Sequence, residues 1–140
     1  MFLADESGSI SHYEFDPMIK FMADLVGDLK IGKDEIRVGL RLFHTHTRLH
    51  IALDDFSKDV ENMIRNVKFY HIMFALRNIF KVNRNSGGTD TAQGLRKIME
   101  EDFTEENGMR KESRKILVAM TDGISNDHQA TINQVYRNKN

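Results

Sequence analysis

The amino-acid sequence predicts an α/β fold, in which helices cover both faces of a largely parallel β-sheet. Short apolar runs with the length of buried strands alternate with longer segments whose apolar residues recur at helical spacing. Two of the apolar runs, residues 1–5 and 116–121, stop at or just before an aspartate. Ligands of parallel sheets bind at the carboxyl ends of the strands. The fold class therefore also predicts where functional residues should lie.

The first half of the chain predicts a strand, a helix and a hairpin. Residues 1–5 form an apolar run of the length of a short buried strand. Residues 13–29 place their apolar side chains at helical spacing, with Pro17 near the start, where proline is tolerated. Residues 36–43 and 49–53 alternate apolar with other side chains on either side of a short link, which is typical of a β-hairpin.

The second half of the chain predicts mainly helices. Residues 59–67 and 72–82 suit helices, although the second segment is apolar on several faces. Residues 91–103 predict a further helix with apolar residues at core spacing. A strand over residues 116–121 and a helix over about residues 129–136 complete the predicted order.

Length, charge and cysteine content restrict the function classes. A chain of 140 residues fits one domain. The formal net charge is −1 and the basic residues are scattered, so no nucleic-acid partner is expected. No run approaches the roughly 20 apolar residues that cross a bilayer, so no membrane insertion by this segment is expected. The absence of cysteine excludes disulfides, thiol catalysis and thiolate metal sites, but leaves the compartment open.

Three separated segments offer hard oxygen ligands. Asp5, Ser7 and Ser9 follow the first apolar run at alternate positions, Thr89 follows a glycine pair, and Asp122 follows the run 116–121. Each segment alone is also compatible with a polar turn or a helix cap. Together, two carboxylates and three hydroxyls at strand ends favour a divalent cation, which would offset the repulsion between the carboxylates. The oxygen set suits Mg²⁺, with Mn²⁺ or Ca²⁺ as alternatives.

This pattern resembles the metal-ion-dependent adhesion site (MIDAS) of the von Willebrand factor type A (VWA) domain, the integrin I-domain family. The matching motifs are Asp5-X-Ser7-X-Ser9, Thr89 after Gly87-Gly88, and Thr121-Asp122-Gly123. Residues 36–43 also look like the second strand of that family, and residues 94–98 like the helix that follows its threonine. The resemblance implies a Rossmann-like three-layer sandwich whose mostly parallel sheet has one antiparallel edge strand.

The resemblance also implies how the site would work. Ser7 and Ser9 would bind the metal directly, Asp5 and Asp122 would supply charge and hold waters, and Thr89 would be the ligand that changes with conformation. An open coordination position would accept an Asp or Glu side chain of a protein partner. The implied function is metal-dependent adhesion or extracellular-matrix binding by an extracellular or secreted protein that is not an enzyme.

The sequence departs from the family pattern in two places. Residues 68–82 match no part of the family, and the chain stops at Asn140, where the family continues into further strands and a closing helix. We therefore expect a single VWA-like domain over residues 1–140 that is truncated at both ends. The strand over residues 116–121 would then be an exposed apolar edge.

The sequence offers three alternatives to a MIDAS of an adhesion domain: a zinc site, an enzyme and an intracellular scaffold. His44, His46 and His50 suggest zinc, and His44 and His46 could point the same way on an extended chain. A zinc site needs three or four ligands, and no cysteine or suitably spaced carboxylate joins them, so we expect solvent-facing hairpin residues. An aspartate-phosphorylating phosphatase would need a second aspartate where Ser7 stands, which disfavours a magnesium-dependent phosphotransfer enzyme. An intracellular assembly scaffold of the same fold is a further alternative.

Overall fold

The structure, a computed structural model, describes residues 1–55 and 87–137. Its sheet has four strands in the order β3-β2-β1-β4, with β1 parallel to β2 and β4, and β3 antiparallel to β2. This is the predicted mostly parallel sheet with one antiparallel edge strand. The helices predicted over residues 59–67 and 72–82, and the unmatched segment 68–82, lie outside the described residues. The strands are β1 Phe2–Asp5, β2 Leu40–Phe43, β3 Thr47–Ile51 and β4 Val118–Met120.

Within residues 1–55 and 87–137, three α-helices accompany the sheet. They are α1 His12–Gly27, α2 Thr91–Lys97 and α3 His128–Arg137. The start of α1 is fixed by Glu14, whose carboxylate accepts a hydrogen bond from the Ser11 backbone N–H at 2.9 Å. The start of α2 is fixed by Asp90, which accepts one from the Gln93 N–H at 2.9 Å. Both helices therefore begin just after loops that carry predicted metal ligands.

Side chains of β1 alternate between two hydrophobic clusters, one on each face of the sheet. Phe2 and Ala4 belong to the cluster that includes Met22 of α1, while Leu3 belongs to the cluster that includes Leu95 of α2. Because both faces of β1 are buried, the strand is apolar from Phe2 to Ala4 rather than alternating, and it ends in Asp5. The result is the predicted three-layer arrangement, and it buries the carboxyl end of β1 between the layers.

The second hairpin strand, predicted over 49–53, lies at Thr47–Ile51, and the strand predicted over 116–121 spans Val118–Met120. Two further elements differ for reasons that the structure shows. The first hairpin strand begins at Leu40 rather than residue 36, because its neighbour β1 begins at Phe2, whose N–H donates to the Gly39 carbonyl. The helix predicted over residues 91–103 is α-helical only to Lys97 and continues as a π-helical turn over Ile98–Asp102. Helical spacing of apolar residues does not distinguish these two helix types.

The π-helical turn carries one partner of a buried ion pair. The Arg41 guanidinium donates to both carboxylate oxygens of Asp102 at 2.7 Å, and the two residues are 4% and 1% exposed. A strand alternating between apolar and polar residues predicts that Arg41 faces solvent. Instead α2 and the turn cover that face of the sheet, so the charge is compensated inside the fold.

Candidate metal centre

The first loop brings Asp5, Ser7 and Ser9 together immediately after β1. Asp5 and Ser7 are completely buried, and the Ser7 backbone N–H donates to Asp5 Oδ1 at 2.8 Å. The hydroxyl oxygens of Ser7 and Ser9 lie 2.9 Å apart. A buried carboxylate and two adjacent hydroxyls therefore converge at the carboxyl end of the central strand.

The spacing of the two hydroxyls tests whether this loop fits a small divalent cation. Magnesium binds oxygen at about 2.0 to 2.1 Å in octahedral geometry, which places neighbouring ligands about 2.8 to 3.0 Å apart. The observed separation of 2.9 Å between Ser7 Oγ and Ser9 Oγ falls in that interval. The same oxygens can hydrogen-bond to each other when no ion is bound. The first loop thus fits a metal as a pair of adjacent neutral ligands.

The second loop, which carries Thr89, packs directly on the first. The Gly8 N–H donates to the Gly87 carbonyl at 2.9 Å, and the Gly88 N–H donates to Thr45 Oγ1 at 2.7 Å. A Cβ atom at Gly87 would lie only 2.6 Å from Nδ1 of His44. The glycine pair is therefore needed for close approach to the β2–β3 hairpin, and Thr89 is held with only 7% of its surface exposed.

The third loop, which carries Asp122, is tied to both of the others. Thr121 Oγ1 donates to Asp5 Oδ2 at 2.7 Å, and the Asn126 N–H donates to the Thr89 carbonyl at 2.8 Å. Asp122 itself is exposed, and within residues 1–55 and 87–137 its side chain has no hydrogen-bond or ion-pair partner. The three predicted segments therefore meet at one edge of the sheet, and the ligand roles of the five residues stay predictions.

Both oxygens of the Asp5 carboxylate are already engaged by the protein. Oδ1 accepts from the Ser7 N–H and Oδ2 accepts from the Thr121 hydroxyl, which leaves one lone pair on each oxygen. Such a carboxylate is fixed in place and can still bind waters or a cation. This arrangement is compatible with the expectation that Asp5 supplies charge and holds water near a metal.

Sequence reasoning missed several residues that support the site. In the sequence Thr121 is only the residue before Asp122, and its contact with Asp5 depends on β4 lying beside β1, which no local pattern reveals. Glu6 was assigned no role, yet it is fully buried and accepts two hydrogen bonds from the Arg48 guanidinium at 3.1 and 3.0 Å. No sequence pattern pairs Glu6 with a residue 42 positions away.

The three hairpin histidines, His44, His46 and His50, are not all as exposed to solvent as predicted. His46 is exposed, as expected, but His44 and His50 are only half exposed. The rings of His44 and His46 pack edge to face with centroids 5.7 Å apart. Within the described part of the chain, no three His, Cys, Asp or Glu side chains are grouped for metal binding. The backbone carbonyl of His44 instead accepts from the Asp90 N–H at 2.9 Å, which anchors the second loop.

Comparison with known proteins agrees with the fold. The family model of the von Willebrand factor type A domain matches residues 1–139. The mouse collagen alpha-5(VI) chain is 34% identical over 129 residues, covering 91% of this chain and 4% of the relative. Mouse integrin alpha-M is 29% identical over 123 residues, covering 88% of this chain and 9% of the relative. The chain therefore spans less than a tenth of either relative.

A solved structure extends the comparison to three dimensions. Proximal thread matrix protein 1 from the mussel byssus, solved with zinc occupying its MIDAS motif, superposes with a TM-score of 0.77 at 23% identity. The superposition covers 99% of this chain and 34% of the mussel chain. At this level of identity the likeness shows the shared fold.

The mixed four-stranded sheet with helices on both faces defines a three-layer α/β domain. The chain belongs to the von Willebrand factor type A family. Its collagen and integrin relatives support an extracellular location. Among the described residues, no helix is long and apolar enough to cross a membrane.

Proposed function

We propose that this domain binds protein partners through a divalent cation held by Asp5, Ser7, Ser9, Thr89 and Asp122. The observation that carries the proposal is the first loop, where two hydroxyls lie 2.9 Å apart beside a buried carboxylate. The Thr121 hydroxyl links that carboxylate to the loop of Asp122. Mg²⁺ suits these hard oxygen ligands best, and Mn²⁺ or Ca²⁺ are the alternatives.

The proposed ligand set explains why the metal would attract a partner. Ser7 and Ser9 are neutral, and both oxygens of Asp5 already accept hydrogen bonds from the protein. A cation bound mainly by neutral oxygens keeps much of its positive charge, so it favours a further anionic ligand. We propose that this ligand is an Asp or Glu side chain of the partner.

The relatives support a role in adhesion or matrix binding rather than in catalysis. The named relatives are a collagen chain and an integrin subunit, and the MIDAS of the mussel matrix protein holds zinc. The proposed site combines three buried residues, Asp5, Ser7 and Thr89, with the exposed Ser9 and Asp122 at the surface. We assign no catalytic residue.

A solid-phase binding assay tests the proposal. Purified domain is applied to immobilised extracellular-matrix extract in Mg²⁺, in Mn²⁺ and in EDTA. In a parallel arm the carboxyl groups of the extract are converted to amides. The matched variants are Asp122→Ala in the site and Asp34→Ala, an exposed aspartate in the segment that precedes β2, at the opposite edge of the sheet.

We expect binding in Mg²⁺ and Mn²⁺, and its loss in EDTA, on the amidated extract and with Asp122→Ala. Asp34→Ala should bind like the unmodified domain. Binding that persists in EDTA would refute metal dependence. Binding that needs metal but survives amidation of the extract would refute recruitment of a partner carboxylate.

A further inference from the structure

Two exposed apolar side chains flank the proposed metal site. Tyr13 is 92% exposed and Ile124 is 85% exposed, the highest values among the large hydrophobic residues of the described chain. Tyr13 lies four residues after Ser9, in the first turn of α1, and Ile124 lies two residues after Asp122. Both therefore lie on segments that lead directly out of the metal loops.

Neither side chain contributes to the packing of the fold. Single exposed apolar residues are common on protein surfaces and by themselves carry no meaning. Here, however, one lies at the start of α1, just after the first loop, and the other lies on the Asp122 loop, which Thr121 joins to Asp5 by a hydrogen bond. Aromatic residues are enriched in protein interfaces because they bury a large area at a small entropic cost.

Among the described segments around the site, Arg48 of β3 is already paired with Glu6 of the first loop, and the other charged side chains are acidic. We define the rim as residues 8–14, 44–46, 87–90 and 121–128, which are the segments that surround the first loop. The rim contains no lysine or arginine, although the whole chain has 20. The metal is therefore the positive charge that the rim can offer to an incoming carboxylate.

The rim instead carries acidic side chains at its margin. Glu14, Asp90 and Asp127 accept hydrogen bonds from backbone N–H groups at the starts of α1, α2 and α3. Asp122 lies exposed among them. These carboxylates would repel a second acidic group placed beside the one that reaches the metal.

We infer that the partner segment presents one isolated carboxylate flanked by apolar side chains, rather than a run of acidic residues. This inference rests on the proposed function, because the isolated carboxylate is the group that reaches the metal. Tyr13 and Ile124 contact the apolar flanks, and the acidic rim excludes clustered acids. The domain thereby selects among the many surface carboxylates of extracellular proteins.

A displayed library of random peptides tests this selectivity. The library is selected on the intact domain in Mg²⁺ and, in parallel, in EDTA. Enriched peptides are then synthesised with the acid changed to its amide, with the flanking residues changed to serine, and with the flanking residues changed to aspartate. Their affinities are compared for the unmodified domain and for the double variant Tyr13→Ser/Ile124→Ser.

The control variant is Phe21→Ser/Ile116→Ser, which removes one aromatic and one aliphatic side chain from elsewhere on the surface. Phe21 is 53% exposed later in α1, and Ile116 is 59% exposed before the start of β4. Calorimetric titration with Mg²⁺ alone measures metal binding by every variant. This titration separates loss of the partner surface from loss of the metal site.

We expect Mg²⁺-dependent enrichment of peptides with a single Asp or Glu next to apolar residues. Tyr13→Ser/Ile124→Ser should weaken peptide binding about tenfold while the dissociation constant for Mg²⁺ stays within twofold, and the control variant should bind normally. Metal-dependent peptides without apolar flanks, or with acidic runs, would overturn the inference while leaving the proposed function intact. Enrichment that is equal in EDTA, or no enrichment at all, would overturn both.

Discussion

Replacing Thr121 with valine removes one hydroxyl and leaves the side-chain shape almost unchanged. That hydroxyl donates to Oδ2 of the buried Asp5 carboxylate at 2.7 Å, across the edge of the sheet from β4 to β1. A hydrogen bond to a charged group contributes about 1.5 to 3 kcal/mol. We expect most of that energy to orient Asp5 for a cation. Because each factor of ten in affinity corresponds to about 1.4 kcal/mol, Thr121→Val should weaken Mg²⁺ binding about 10- to 100-fold.

Calorimetric titration with Mg²⁺ measures this change, and a thermal melt in EDTA measures how much of the energy appears as stability of the metal-free domain. Thr131→Val is the matched control, since the Thr131 hydroxyl donates to the Asp127 carbonyl at 2.9 Å in α3, away from Asp5. The control should leave the dissociation constant for Mg²⁺ unchanged. A dissociation constant for Thr121→Val within twofold of the unmodified domain would show that this contact does not position the proposed metal ligand.

Three further predictions concern the framework of the domain. Arg41→Met leaves the buried Asp102 uncompensated and should lower the free energy of unfolding by about 3 to 5 kcal/mol in denaturant melts, with partial recovery in Arg41→Met/Asp102→Leu. A double variant no more stable than Arg41→Met would contradict that reasoning. Gly108→Ala should cost at least about 2 kcal/mol in the same assay, because Gly108 has φ = +87° and the added Cβ would lie 2.4 Å from Cβ of Asp54. Gly27→Ala, which meets no atom within 4 Å, is the control, and equal stability of the two variants would be the contrary result. The hydrogen bond from Lys97 lowers the pKa of Glu101, so the ionised carboxylate stabilises the folded domain near neutral pH. The stability advantage of the unmodified domain over Glu101→Gln should therefore decline as the pH falls below about 5. A difference between the two melting temperatures that does not change with pH would contradict it.

A strand could be predicted from the sequence where burial of both of its faces determines its composition. β1 is apolar from Phe2 to Ala4 because helices cover both of its faces, and the sequence shows this directly. The start of β2 could not be predicted, because it depends on where the neighbouring strand begins, and Phe2 pairs with Leu40. The alternation of apolar with other side chains begins at residue 36, four residues before the first residue of β2 that pairs with β1.

Buried polar contacts were the least predictable part of the fold. Arg41 follows the alternation of an exposed strand position, yet it is buried because Asp102 reaches it from a π-helical turn 61 residues away. The geometry of that turn depends on tertiary packing, so spacing in the sequence does not reveal it.

The candidate site likewise contains one part that the sequence predicts and one part that it does not. The position of Asp5, Ser7 and Ser9 follows from a local motif at a strand end, and the structure places these residues there. The contact from Thr121 to Asp5 depends on β4 lying beside β1, which follows from the sheet order and not from any local pattern. A threonine before an aspartate is otherwise indistinguishable from an ordinary turn residue.

Metal binding by the folded domain is the most direct test of the central claim, which is that three loops form one divalent-cation site. The measurement is the thermal unfolding midpoint in Mg²⁺ and in EDTA, for the unmodified domain and for Asp122→Ala. Metal that binds only the folded state at about a hundredfold excess over its dissociation constant should stabilise the domain by about 2.7 kcal/mol. We predict a higher midpoint in Mg²⁺ that EDTA reverses and that Asp122→Ala reduces. The same midpoint with Mg²⁺ and with EDTA would contradict the account.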